Sequence, residues 1–121
     1  MEISRLDTAE GFITDDGSTI HELAGLVSLP TVNQSLAQAT LEVGGSTAKH
    51  FHIEAEEIYY LTSGSGRLLI GDQESAVRAG DCIVIAPGAA HKLWNSGDQP
   101  LTLLCCCSPP YRHDDTVLTG E

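Results

Sequence analysis

Basic residues are scarce in this chain: six Lys and Arg stand against seventeen Asp and Glu, for a formal net charge of −11. A surface that acidic repels phosphate backbones and anionic lipid headgroups, so neither nucleic acid nor a membrane is expected as a partner. No apolar run approaches the length of a bilayer-spanning helix, and the N-terminal MEISRLDTAEGF has neither a basic start nor an apolar signal core. A cytoplasmic location is the expectation that follows. The four cysteines lack the spacing of a secreted disulfide framework or of a Cys-x-x-Cys zinc knuckle. Cys105, Cys106 and Cys107 are adjacent, and on an extended strand Cys105 and Cys107 share one face while Cys106 takes the other. Local disulfides among them are geometrically awkward. They are read as buried, reduced thiols serving as small core hydrophobes, with no metal role assigned to them or to Cys82. Internal repeats and low-complexity stretches are also missing.

What is present suits one folded domain over residues 1–121: 41% of the residues are hydrophobic and 19% charged, far from a disordered composition. The apolar runs are short and punctuated by Gly, Pro, Asn, Asp or Ser, as in an antiparallel sandwich or barrel. Candidate strands are Ser35–Val43, Lys49–Ile53, Glu57–Ser63, Gly66–Ile70, Gln73–Arg78, Asp81–Ile85, His91–Asn95 and Leu101–Cys107. Turns are marked at Gly44-Gly45, Ser63 to Gly66, Gly71-Asp72, Ala79 to Asp81, Pro87-Gly88 and Asn95 to Asp98. Ile20–Val27 is the one stretch with helical flavour, and it is too short to compete with the strand signals. The first thirty residues and the segment from Pro109 are less regular, and are read as edge strands or as arms that cover a neighbour.

The chemistry concentrates in the middle. His50 and His52 lie two apart, so on a strand both imidazoles project from the same face. Glu57 follows five residues after His52, where a bend can bring its carboxylate back to the pair, and His91 can enter from a neighbouring strand. Three imidazoles and one carboxylate suit a divalent transition ion (Mn, Fe, Ni, Zn or Cu) better than calcium or magnesium. Four protein ligands leave an octahedral ion two open positions for water, dioxygen or two oxygens of one substrate. Among the neighbouring carboxylates, Glu57 shares strand parity with Tyr59 and Leu61, whereas Glu56 shares parity with Ile58 and Tyr60. Glu57 is therefore the inward candidate, with Glu54 and Glu56 as solvated charges.

The run from Gly44 through His50, His52 and Glu57 to Gly64 resembles the first motif of the cupin superfamily. Gly80-Asp81 through Pro87-Gly88 to His91 and Asn95 resembles the second, with Ala86 where members often carry another proline. The resemblance covers about 44–95, leaving an N-terminal arm (1–34) and a C-terminal tail (109–121) outside it. It implies an all-β fold, a small antiparallel double-stranded β-helix or jelly-roll barrel, and a metal held by His50, His52, Glu57 and His91. The ending from Cys105 to Thr116 resembles that of small cupins labelled by similarity to the cupin part of mannose-6-phosphate isomerases, a label that establishes no reaction.

Tyr59, Phe51 and Trp94 are candidates to line a substrate pocket, and Arg67 and Lys92 are candidate anion-binding cations. His21 and His113 fall outside the motifs and are read as surface residues. The expected function is a metal-dependent enzyme of dioxygenase or isomerase type acting on a small oxygenated molecule. The alternatives are a non-catalytic sugar-binding or sensor barrel and, more weakly, a metal-free sugar-nucleotide epimerase. Exposed strand edges in so short a barrel, together with the small cupins' habit of pairing, predict a homodimer formed through the N-terminal arm.

Overall fold

The computed structural model describes residues 1–120 as two sheets, antiparallel but for one short parallel pairing at the edge of the larger, facing each other across one core. The strands are β1 (Phe12–Ile13), β2 (Thr19–Gly25), β3 (Leu29–Pro30), β4 (Ser35–Leu41), β5 (His50–His52), β6 (Glu56–Ser63), β7 (Ser65–Ile70), β8 (Gln73–Arg78), β9 (Cys82–Ile85), β10 (His91–Asn95), β11 (Leu101–Ser108) and β12 (Thr116–Leu118). The larger sheet runs β1-β2-β4-β11-β6-β9, with β3 beside β2, and the smaller runs β12-β5-β10-β7-β8. This is the expected all-β double-stranded β-helix, and every candidate strand is present to within two residues at either end. No helix among the described residues is long and apolar enough to cross a membrane.

The irregular ends belong to the barrel. Ser18, Ile20 and Glu22 turn inward at alternate positions of the segment around β2, which pairs antiparallel with β4 from Thr19↔Thr40 to Ala24↔Leu36. Helical flavour in Ile20–Val27 thus gives way to a strand, because alternate burial against β4 outweighs a weak local preference. The N-terminal arm is consequently built into the chain's own larger sheet. The tail adds β12 to β5, in the register Thr116↔His52 and Leu118↔His50.

Inward side chains are graded along the barrel. At one end Leu41, Leu61, Leu68, Leu93, Leu101 and Leu103 close a core, each no more than 4% exposed. Burying each contributes roughly 1.5–3 kcal/mol. Towards the other end the same strands carry small or polar groups: Ala37 and Ser35 on β4, Cys105 and Cys107 on β11, Glu57 on β6 and His91 on β10. Large side chains fill one end and short ones leave space at the other. Gly66 permits the close β7–β10 approach, since a Cβ there would lie 2.1 Å from the Trp94 carbonyl oxygen.

Candidate metal centre and cavity

The short strand β5 carries His50 and His52 into the interior, with exposures of 1% and 4%. β10 pairs antiparallel with it so that His91, fully buried, lies directly opposite His50, their ring centroids 4.3 Å apart. Glu57, the second residue of β6 and 5% exposed, enters from the facing sheet. Its Oε1 is 3.1 Å from His52 Nε2 and 3.4 Å from His91 Nε2. One ligand atom from each of the four residues falls within 4.8 Å of every other, so this buried cluster can hold a metal ion.

The hydrogen bonds behind the rings decide what the front nitrogens do. His50 Nδ1 lies 2.8 Å from the Ala48 carbonyl and His91 Nδ1 2.9 Å from the Ala89 carbonyl; a carbonyl only accepts, so both Nδ1 atoms carry the proton. His52 Nδ1 is 3.1 Å from Thr116 Oγ1, whose own hydroxyl donates to the Arg112 carbonyl at 3.3 Å, leaving a lone pair for the imidazole N–H. In the neutral rings every Nε2 is therefore a bare lone pair aimed inward. His91 Nε2 is buried without a hydrogen-bond partner, and His52 Nε2 faces a carboxylate oxygen that also only accepts. Two acceptors at that distance need a positive centre between them, either a proton on the ring or a cation. The donor set thus fits a divalent transition ion.

The electrostatics respond to the same packing. Burial opposes charge on Glu57, yet the neighbouring His52 and His91 overcome it and bring its pKa down to about 2. Burial also opposes charge on His52, but Glu57 outweighs that and raises its pKa, whereas burial and the neighbouring His91 lower that of His50. Cys107 Sγ donates to the second oxygen of Glu57 at 3.5 Å, and its thiol is pushed far up by burial and by that carboxylate.

A narrow cavity of about 50 Å³ opens beside the cluster. Tyr59, Tyr111, Phe12, Asp16, Cys105 and Cys107 are among the residues on its wall. Of the candidate substrate contacts, only Tyr59 lies there, its ring 5.9 Å from that of His91. Phe51, Arg67 and Trp94 do not line the cavity. Each occupies the opposite strand parity from its inward neighbours: Phe51 between His50 and His52, Trp94 between Leu93 and Asn95, Arg67 between Gly66 and Leu68. Arg67 instead pairs with Glu74 at 2.7 Å, and Lys92 sits 5.2 Å over the Trp94 ring.

Glu56 is exposed, as expected, and Glu54 is exposed within 3.7 Å of Arg112. Cys82 is exposed and Cys106 half-buried on the outer face, so only Cys105 and Cys107 of the four cysteines face the interior. His113 is exposed, but His21 is half-buried, with its Nδ1 enclosed and unpaired and the Nε2 side of its ring against Gly11. Sequence reasoning gave Cys107 a core role but not its contact with Glu57, and it missed Asp16, Tyr111, Asp115 and Thr116. Their link to the histidines is spatial, and no motif spacing announces it.

A protein-family model described as "Cupin domain" matches residues 37–107. The uncharacterized protein MJ1618 of Methanocaldococcus jannaschii is 44% identical over 112 residues, which span 93% of this chain and 90% of that protein. Mannose-1-phosphate guanylyltransferase 2 of Escherichia coli is 31% identical over 75 residues, covering 62% of this chain but 16% of the enzyme. Among solved structures, the Streptomyces nucleoside dehydratase Pac13 superposes with a TM-score of 0.81 over 99% of this chain and 92% of its own, at 14% identity, a likeness of fold.

Proposed function

The chain belongs to the cupin family, and from that premise we propose that it is a metal-dependent enzyme acting on a small oxygenated molecule, by isomerisation or by reaction with dioxygen. The observation that carries this reading is the inward lone pair of each imidazole, with His91 Nε2 buried and unpartnered beside Glu57. His50, His52, Glu57 and His91 would hold a single ion of Mn, Fe, Ni, Zn or Cu. Such an ion supplies Lewis-acid or redox chemistry at whatever positions the protein leaves open.

The protein's own contribution is orientation and exclusion. The Ala48 and Ala89 carbonyls and the Thr116 hydroxyl lock the three rings, while Cys107 steadies Glu57. Tyr59 and the leucines beneath the site keep bulk water from one side of the cavity, which strengthens every charge interaction inside it. Tyr111 stands at the edge of His52, ring centroids 6.0 Å apart, as a wall for a ligand.

Elemental analysis of protein purified without chelators tests the reading. About one transition ion per chain is expected, absent from the His50→Ala, His52→Ala double variant. A double variant retaining the parent's metal content overturns it. Oxygen uptake and isomerisation assays over dicarbonyls, enols, catechols and sugars then separate enzyme from sensor, because a sensor's ligand raises the melting temperature and is recovered unchanged.

A cytoplasmic homodimer is part of the same proposal. It is supported by an apolar row across the outer face of the larger sheet, Leu36, Cys106, Ile58 and Val84 in register, with Leu36 37% and Val84 60% exposed. Light scattering that reads a monomer at working concentration removes the dimer.

A further inference from the structure

The N-terminal hairpin brings a second carboxylate to the cavity. Asp16 sits in the turn between β1 and β2, and Ala48 N donates to its carbonyl at 2.6 Å, which ties this turn to the entry of β5 and sets Asp16 beside His50. One side-chain oxygen is saturated. Oδ1 accepts hydrogen bonds from Ser18 N at 3.0 Å, from Ser18 Oγ at 2.7 Å and from Thr14 Oγ1. Three donors on one oxygen hold the carboxylate in place and leave Oδ2 without a protein hydrogen bond among the described residues. Oδ2 lies 3.6 Å from His50 Nε2, beyond hydrogen-bond length, on a side chain 16% exposed that lines the cavity.

The rest of the wall makes this position selective. Asp16, Glu22 and Glu57 all line the cavity, and no Lys or Arg does. Glu22 is engaged, accepting from Val27 N at 3.0 Å and Ser28 Oγ at 2.7 Å, so it adds fixed negative charge rather than an open acceptor. A divalent ion in the cluster would face three carboxylates on the cavity wall, Glu57, Asp16 and Glu22. A dianionic ligand would enter with no cationic side chain to meet it. A neutral ligand bearing a hydroxyl group has a donor for Asp16 Oδ2 and brings no charge.

We propose that Asp16 determines the specificity of the cavity: Oδ2 accepts a hydrogen bond from a hydroxyl of a neutral ligand, and its charge turns away dicarboxylates and phosphate esters. This inference rests on the metal-site reading and narrows its substrate class to neutral hydroxylated compounds, such as hydroxy-ketones and sugars.

Two probes of equal bite separate the alternatives: hydroxyacetone, a neutral hydroxy-ketone, and oxalate, a dianion. Each is titrated into Co(II)-loaded protein and followed by the visible absorption of the ion, for the parent, Asp16→Asn and Asp16→Ala. Asn keeps an oxygen for Ser18 and Thr14, and so guards against a variant that simply misfolds. The parent should bind hydroxyacetone in preference to oxalate, and removing the charge should shift the ratio of their dissociation constants about a hundredfold towards oxalate. Co(II) affinity should fall by no more than about a hundredfold in either variant and remain measurable, because Asp16 acts on the ion from outside the set of ligands. A parent that prefers oxalate, or variants whose ratio stays at the parent's value while Co(II) still binds, overturns the inference and leaves the metal site standing. Loss of Co(II) from both variants makes Asp16 a ligand and likewise overturns it. A parent that takes up no Co(II) removes the underlying reading together with the inference.

Discussion

Asp115 Oδ1 accepts the backbone N–H of Glu54 at 2.8 Å, across 61 residues of chain, and its Oδ2 accepts that of Ala55 at 3.1 Å. The Asp115 carbonyl adds a third bond, from Ile53 N at 2.9 Å. A buried carboxylate in the C-terminal segment thereby shapes the turn that carries the chain from His52 to Glu57. Asp115 is a positioning residue for the cluster.

Replacing Asp115 by Ala should cost about 2–4 kcal/mol of unfolding free energy, since two hydrogen bonds to a charged acceptor are lost and two N–H groups are left unpaired. Metal affinity should fall by roughly tenfold to a hundredfold through Glu57. Chemical denaturation with and without Co(II) separates the effects. Equal loss of stability in both conditions would mean that the clamp serves the fold alone.

Removing the ligands one at a time should abolish linkage between metal and stability. At a metal concentration about a hundredfold above the dissociation constant, the parent should gain roughly 2.7 kcal/mol, read by thermal or denaturant unfolding. Glu57→Gln and His91→Ala should gain little, although Glu57→Gln preserves the shape of the carboxylate it replaces.

The metal-free protein should show opposed pH dependences from neighbouring groups. Glu57, held near 2 against an ordinary 4.5, contributes stability that is full above 4.5 and is lost as pH falls towards 2. His52, raised above 6.5 by Glu57 despite its burial, contributes stability that is full below 6.5 and is lost as pH rises through its raised value. His50, lowered by burial and by His91, contributes stability that is full above 6.5 and is lost as pH falls below it. Glu57→Gln should therefore lower the pKa of the His52 imidazole in an NMR titration, since burial then acts without the carboxylate that opposes it. Co(II) affinity of the parent should climb as pH rises above 6.5 through the raised value of His52, which then gives up its proton. An affinity flat over that range would contradict the arrangement.

Alkylation should discriminate sharply among the cysteines. Cys82 is exposed, whereas burial and the Glu57 carboxylate push the Cys105 and Cys107 thiols up, keeping them protonated. Mass spectrometry after iodoacetamide treatment of native protein should find Cys82 modified first and Cys105 and Cys107 protected. Early modification of Cys107 would show that Glu57 does not hold its proton.

Much of the site was legible because strand parity is local. A period of two places His50 and His52 on one face and selects Glu57 over Glu56. Applied consistently, the same parity turns Phe51 and Trp94 away from the cavity, since each alternates with inward residues. The N-terminal arm was harder to read, because β1 and β3 are two residues each and exist only by pairing with β2.

The order of side chains along each strand, and hence which faces carry apolar, acidic or imidazole groups, was written in the residues themselves, because alternation follows from backbone geometry at each peptide unit. Register between strands was decided only in three dimensions. It set His91 opposite His50, and Thr116 opposite His52. The turns beside those strands brought Asp16 to His50 and Asp115 to the turn before Glu57. Such pairings join residues tens of positions apart, and they are selected by the packing of two whole sheets rather than by any neighbour in the chain.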